Sequence, residues 1–243
     1  GLQAKVLNRT FVDVWSDWEK MVRFRSNFAG VSLGQVKKIK DFEVFKKVIK
    51  GKKIIKVWRR AKNVIFDLTE DYSLLVHMKM TGHLMVGQWV FQGGKYQPKN
   101  RGPLDEKINL YLHMIWFLDN GQMIALSDLR KFAKVELWKT NELLTSKEFL
   151  GWGPEPMEKS FTFEKFQETL KGKRGKIKQV IMIPEVIAGI GNIYSNEALW
   201  WAKIHPKKDV SKLNKKELKL LYDAIKKVLA NGIKLGGESF SDY

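Results

Sequence analysis

In the first half of the chain apolar residues come in short runs broken by polar turns, and in the second half they recur at helical spacing. The runs at 52–58 (KKIIKVW), 63–68 (NVIFDL), 73–80 (SLLVHMKM) and 83–91 (HLMVGQWVF) are rich in branched and aromatic residues and read as strands. The basic segment 59–62 (RRAK) turns between the first two. Residues 93–107 (GGKYQPKNRGPLDEK) hold Gly, Pro and charge without an apolar period, which predicts a long polar loop. Residues 108–129 predict a hairpin, with Asn120-Gly121 where a primed turn needs two residues at positive φ. One helix interrupts this half: Asp41 can cap the run 42–50 (FEVFKKVIK), and Gly51 ends it.

The spacing then predicts helices over 162–172, 175–184 (stopped near Pro184) and 192–204 (ending before Pro206). The last helix is the clearest: Leu218, Leu221, Tyr222, Ile225, Val228, Leu229 and Gly232 share one face, and Asn214 followed by Glu217 forms a capping-box pattern. Residues 153–156 (GPEP) read as the linker between a β-rich domain and a helical one.

A chain of 243 residues with 44% hydrophobic residues and nine Trp can bury a substantial core in one large domain or two ordinary ones. Its apolar runs are too short for a membrane span, and Lys5 and Arg9 break any signal-peptide pattern at the start. Without cysteine the chain has no disulfide, no thiol nucleophile and no Cys-based zinc site, and a cytoplasmic location is the default. The net charge of +18 changes the picture most. Residues 1–150 hold 27 Lys+Arg against 15 Asp+Glu, and the remainder 17 against 11, so the excess is not one basic tail. Such a field attracts polyanions, nucleic acid first among them.

The segment 187–201 (IAGIGNIYSNEALWW) gives that charge a focus. Gly189 and Gly191 allow positive φ and close backbone approach just before a helix whose first amides have no internal acceptor, and Asn192 adds a side-chain donor. An anion such as phosphate fits there. A glycine turn used for geometry alone gives the same pattern. A dinucleotide fingerprint is excluded, because the preceding segment is helical and not a strand.

Residues 189–206 (GIGNIYSNEALWWAKIHP) resemble the helix–two-turns–helix signature of the formamidopyrimidine-DNA glycosylase / endonuclease VIII family. Further segments agree in the same order: 1–15 with the end of the first helix and the next strand, 57–68 with the basic hairpin, 76–86 and 126–138 with two more family segments, then GPEP and 236–243 (GGESFSDY). The resemblance covers essentially the whole chain. It implies an α+β fold, with a β-sandwich domain over 1–143 and a helical helix–two-turns–helix domain over 144–243.

The implied activity is base-excision repair: a DNA glycosylase with abasic-site lyase activity on duplex DNA containing an oxidised base, acting as a monomer with no membrane partner. The damaged base is flipped out and side chains fill the gap. By position Met80, Arg130 and Phe132 match that filling set; a thioether and a ring replace stacking, and a guanidinium reaches the orphaned base. Lys62, His77, Gly191 and Asn192 match residues that grip phosphates, Lys62 also in a supporting catalytic role. Read from the residues alone, Met80 and Phe132 are equally ordinary core, Lys62 a solvated turn lysine and His77 a satisfied core histidine. His83, His113 and His205 read as structural.

The departures are as informative. The family's nucleophile, the amine of an N-terminal proline, and the glutamate that follows it are not in the sequence; Gly1 aligns about a dozen residues downstream. The 243-residue chain is therefore expected to be part of a longer protein and inactive by itself. No cofactor is expected in it, zinc belonging only to a C-terminal four-cysteine finger that it does not include. Leu129, Lys131, Ala133 and Lys79 replace Pro, Arg, Gly and Gly of the family pattern. Two alternatives stay open: a non-catalytic damaged-DNA-binding relative, and an RNA-binding protein, since helix–two-turns–helix modules also occur in ribosomal proteins.

Overall fold

The computed structural model describes residues 1–25 and 41–236, and the chain divides into two compact units, Gly1–Ser146 and Lys147–Tyr243. The division comes after the helix Thr140–Thr145, not within it at 143/144. The side chain of Asp41, and the segment after Gly236, lie outside the described residues, so neither the cap nor the GGESFSDY match is seen.

In the first unit the alternating runs pair into two main sheets and a two-stranded hairpin. A short helix α1 (Leu2–Val6) leads into β1 (Phe11–Ser16), then β2 (Val22–Phe24) and helix α2 (Asp41–Ile49), which Gly51 ends at φ 83°. Next come β3 (Ile54–Arg60), β4 (Asn63–Leu68), β5 (Tyr72–His77), β6 (Gly82–Gly87), β7 (Trp89–Gln92) and β8 (Lys95–Pro98). The last strands are β9 (Leu112–Leu118), β10 (Met123–Asp128) and β11 (Lys134–Lys139), followed by helix α3 (Thr140–Thr145). One sheet has the order β1-β9-β10-β6 and the other β2-β11-β5-β4-β3. Between them lies a single apolar core, with Val14, Trp116 and Leu126 from one sheet meeting Phe66, Val76 and Leu137 from the other, and Phe45 and Ile49 of α2 completing it. This is the expected sandwich.

Four local readings are corrected. The run 73–80 leaves the sheet at His77, and 83–91 divides at Gln88 between two sheets. The polar loop after residue 93 contains β8, paired with β7 across Gly93-Gly94. Those two glycines, at φ 61° and 78°, form the primed turn. At Asn120-Gly121 only Gly121 has positive φ (75°), and the β9–β10 connection, residues 119–122, is closed by Gly121 N–H to Leu118 C=O (3.1 Å) and Leu118 N–H to Gln122 C=O (2.9 Å). The β7–β8 hairpin covers the outer face of the first sheet. There Trp89, Tyr96 and Leu104 pack with Met85, Ile115 and Ala125 in a second apolar cluster.

In the second unit the helices are α4 (Lys147–Gly151), α5 (Phe163–Leu170), α6 (Ile177–Ile181), α7 (Asn192–Trp201) and α8 (Lys215–Lys234). Both halves of the capping box form at the start of α8: Asn214 Oδ1 accepts the Glu217 N–H (2.9 Å), and Glu217 Oε2 accepts the Asn214 N–H (3.1 Å). Leu221, Ile225, Val228 and Gly232 are buried along its predicted face, with Ala224 beside them. GPEP is not a linker. Gly153 donates its N–H to Pro184 C=O (2.8 Å), Ala188 donates to Pro154 C=O (3.1 Å), and Gly153, Glu155 and Pro156 are buried. A Cβ at Gly153 would collide with the backbone of Val186, so glycine is needed there for packing.

Candidate nucleic-acid interface

The turn between β3 and β4 is two residues long, and Ala61 takes φ 54° within it. The register pairs Asn63, next to Lys62, with His77 at the end of β5; on its other side His77 pairs with Lys134 of β11. Three lysines therefore surround one imidazole. His77 is half-buried, and its Nδ1 accepts the Lys79 N–H (3.0 Å), which leaves the ring proton on Nε2 as a donor. Burial first, then Lys79, Lys62 and Lys134, hold its pKa down at about 4, against a smaller opposing effect of its own backbone hydrogen bond. The pKa of Lys62, exposed at the turn, is likewise lowered, by the desolvation its neighbours impose and then by Lys79. Each group disfavours charge on the next, and an anion placed among them relieves all of them at once.

Beyond β5 the chain turns through Met78–Thr81, with Lys79 at φ 57°, and Gly82 N–H closes the turn on Met78 C=O (3.0 Å). A side chain at Gly82 would strike that carbonyl. Beyond β10 a second turn holds residues 129–133. Its anchor is Asp128, fully buried, whose carboxylate accepts the N–H groups of Phe132 and Ala133 (both 2.7 Å) and of Arg130 (3.3 Å) and the hydroxyl of Thr81. A carboxylate with four donors is satisfied without a cationic partner. Lys131, at φ 56°, reverses the chain so that Arg130 and Phe132 project on one side. The two turns converge: Arg130 Nη1 lies 3.3 Å from Met80 Sδ, and its guanidinium 4.6 Å from the Phe132 ring centroid.

Met80 is 62% and Phe132 49% exposed, so neither belongs to the core. The structure brings Met80, Arg130 and Phe132 together and sets Lys62 and His77 beside one another. Asp128 and Thr81, which hold the first group in place, were not singled out by sequence. Their signal was only an acidic residue closing an apolar strand.

In the second unit Gly189 takes φ 85° and Gly191 sits at the N-cap of α7 with no side-chain cap. The first turn contains no acidic residue, and Asn192 is exposed at its start. The first amides of α7 thus keep their donor capacity, with the Asn192 amide next to them. Behind this end, Tyr194 packs its hydroxyl and ring edge onto Gly232 of α8, where a Cβ would collide. At its other end α7 closes with Lys203 N–H to Trp200 C=O (3.1 Å) and Ile204 N–H to Leu199 C=O (3.0 Å), the paired bonds of a Schellman motif. The residue in its left-handed position is Lys203 (φ 54°).

The other histidines are held locally: His83 by Asn109 Oδ1 (2.5 Å), His113 by Asp17 (2.7 Å), and His205 by the Lys207 N–H (3.2 Å). Among the described residues no three His, Cys, Asp or Glu gather into a metal site, and without cysteine the chain's residues do not build a four-cysteine zinc finger. No described helix is long and apolar enough to cross a membrane.

Two family models match the chain: the formamidopyrimidine-DNA glycosylase N-terminal domain over residues 1–135 and the formamidopyrimidine-DNA glycosylase H2TH domain over 152–243. The chain is 35% identical to a formamidopyrimidine-DNA glycosylase of Herpetosiphon aurantiacus, over all of this chain and 78% of that one. It is 31% identical to one of Ligilactobacillus salivarius, over all of this chain and 77% of the relative. Among solved structures, the Lactococcus lactis Fpg (MutM) bound to FAPY-dG-containing DNA superposes with a TM-score of 0.78 at 28% identity, over 98% of this chain and 78% of that one. The same enzyme bound to DNA with an abasic site superposes equally well at 29% identity, over 98% and 76%.

Proposed function

This chain belongs to the formamidopyrimidine-DNA glycosylase family, and on that premise we propose that it acts in base-excision repair on duplex DNA carrying an oxidised base or an abasic site. One observation carries the reading: three side chains of the gap-filling types, Met80, Arg130 and Phe132, stand exposed, with Arg130 in contact with both others, on two turns locked together through Asp128. An exposed thioether and ring suit a cavity left in a base stack, and a guanidinium held against both can hydrogen-bond the base that lost its partner. Each unit adds a backbone grip of its own. In the first, the Nε2 proton of His77 and the ammonium of Lys62 are donors to one phosphate. In the second, the uncapped amides at Gly191–Asn192 and the Asn192 side chain do the same.

In the family's chemistry the secondary amine of a terminal proline displaces the damaged base from the sugar C1′, the glutamate beside it protonates the opening sugar ring, and a protein–sugar iminium results. Neither residue is among the 243 of this sequence. The residues that are present bind the duplex, distort it and hold the flipped nucleotide. Titration of abasic and intact duplexes tests this. The chain should bind the abasic duplex more tightly, Phe132→Ala and Arg130→Ala should each remove most of the preference, and Asn192→Ala should weaken binding without changing the fold. Equal affinity of the unmodified chain for both duplexes overturns the reading. Borohydride should trap no adduct between these 243 residues and abasic DNA, and an adduct overturns the assignment of the nucleophile. Preference for structured RNA over damaged duplex would favour the RNA-binding alternative.

A further inference from the structure

Next to the Met80–Phe132 pair a groove of about 470 Å³ opens in the first unit, floored by Trp18 and lined by Lys20, Arg23, Lys79, Lys131 and Lys134. Met80 and Phe132 form part of the same wall. Five cations share this wall, no carboxylate lines it, and among the described residues none of the five forms an ion pair. What holds two of them is an aromatic ring: the ammonium of Lys131 lies 4.8 Å from the Trp18 ring centroid and that of Lys20 lies 5.4 Å from it. A ring positions ammonium groups without neutralising them, unlike an acidic partner. The charge stays available, and the side chains lose part of the freedom they would otherwise give up on binding.

We propose that this groove is a second phosphate-holding subsite, which takes the sugar–phosphate backbone of DNA immediately beside the wedge of Met80 and Phe132. It rests on the proposed function and extends it to residues given no phosphate-gripping role there. Lys79 and Lys134 belong to this wall and also stand close enough to His77 to depress its protonation, so the groove continues the Lys62–His77 site. Lys20, Arg23 and Lys131 are the cations it adds. With two ammonium groups set over its ring, at 4.8 and 5.4 Å from the centroid, Trp18 serves to order them.

Salt dependence of binding reads the number of phosphates held, independently of sequence or damage. The double variant Lys20→Gln, Lys131→Gln should lower the slope of log K against log salt by about two, and weaken binding to abasic and intact duplexes by the same factor, since each phosphate-binding lysine contributes about one to that slope. The single variant Lys20→Gln, at an exposed position, should lower it by about one and guards against a folding defect in the double variant. An unchanged slope in both overturns the proposal. So does a loss confined to the abasic duplex, which would make the groove a reader of damage. Failure of the unmodified chain to prefer abasic DNA would instead overturn the proposed function and leave the slope comparison standing.

Discussion

Thr81 donates its hydroxyl proton to the carboxylate of Asp128, and that bond joins the turn carrying Met80 to the turn carrying Arg130 and Phe132. The carboxylate also gathers three backbone N–H groups of the second turn, so the geometry of the proposed wedge depends on one buried side chain that does not itself project toward a ligand.

Replacing that side chain should disorder the wedge before it unfolds the sandwich. Asp128→Ala leaves a hydroxyl and the amides of Phe132 and Ala133 without their acceptor, the Arg130 N–H keeping Thr81 Oγ1 (3.3 Å), at a cost of about 3 kcal/mol or more. Asp128→Asn restores one acceptor but sets an amide donor against N–H donors, and should fall between. Urea denaturation gives the stability change. Abasic-versus-intact discrimination should fall further in Asp128→Asn than in Thr81→Val, which removes only the link between the turns.

The depressed pKa of His77 has a definite sign. Folded His77 titrates near 4 and the unfolded residue near 6.5. Below pH 6.5 the unfolded chain takes up a proton that the folded chain refuses, so this contribution to stability is present above 6.5 and is lost as pH falls toward 4. His77→Gln should flatten that part of the stability–pH curve; an unaltered acid limb would show that the imidazole is not held neutral. A bound phosphate acts the opposite way and raises the His77 pKa, so DNA affinity should increase as pH is lowered from 7 to 5 in the unmodified chain and not in His77→Gln.

Gly232→Ala places a methyl group on the Tyr194 ring and should cost about 1–3 kcal/mol through overpacking. Because Tyr194 is in the first turn of α7, the displaced ring moves Asn192 with it, and affinity for abasic duplex should fall. Gly232→Ala combined with Tyr194→Leu should recover part of the stability, and absence of any recovery would mean that the contact is not the cause.

Lys203→Gly should stabilise the second unit. A lysine in the left-handed conformation costs about 1 kcal/mol that glycine does not, while the hydrogen bonds of the Schellman motif are backbone bonds and survive the change. The thermal midpoint should rise by about 2–4 °C. A fall would show that the Lys203 side chain makes a compensating contact.

The elements legible in the sequence were those whose signal is local and repeated. The face of α8 and its capping box could be read because periodic burial and a cap three residues from its partner are both local patterns. The β7–β8 hairpin was missed because its second strand, KYQP, is polar except for Tyr96, and its place over the outer sheet face is set by Trp89 and Leu104 reaching distant partners. GPEP looked like a linker because Gly and Pro break regular structure, but the same absence of a side chain at Gly153 lets the chain pack against Val186. At the site, residue types and a resemblance placed Met80, Arg130, Phe132, Lys62 and His77. Asp128, Thr81 and Trp18 act through backbone amides, one hydroxyl and a ring face, and residue spacing does not reveal such contacts.

Strand β10 ends at Asp128, and its alternate residues are buried on both sides: Ile124 and Leu126 in the central core, Ala125 beneath the β7–β8 hairpin. A strand clamped from above and below has no soft direction. If the proposed wedge mounted on its end is driven into a base stack, the recoil passes into a packed slab, and the duplex is the partner expected to bend.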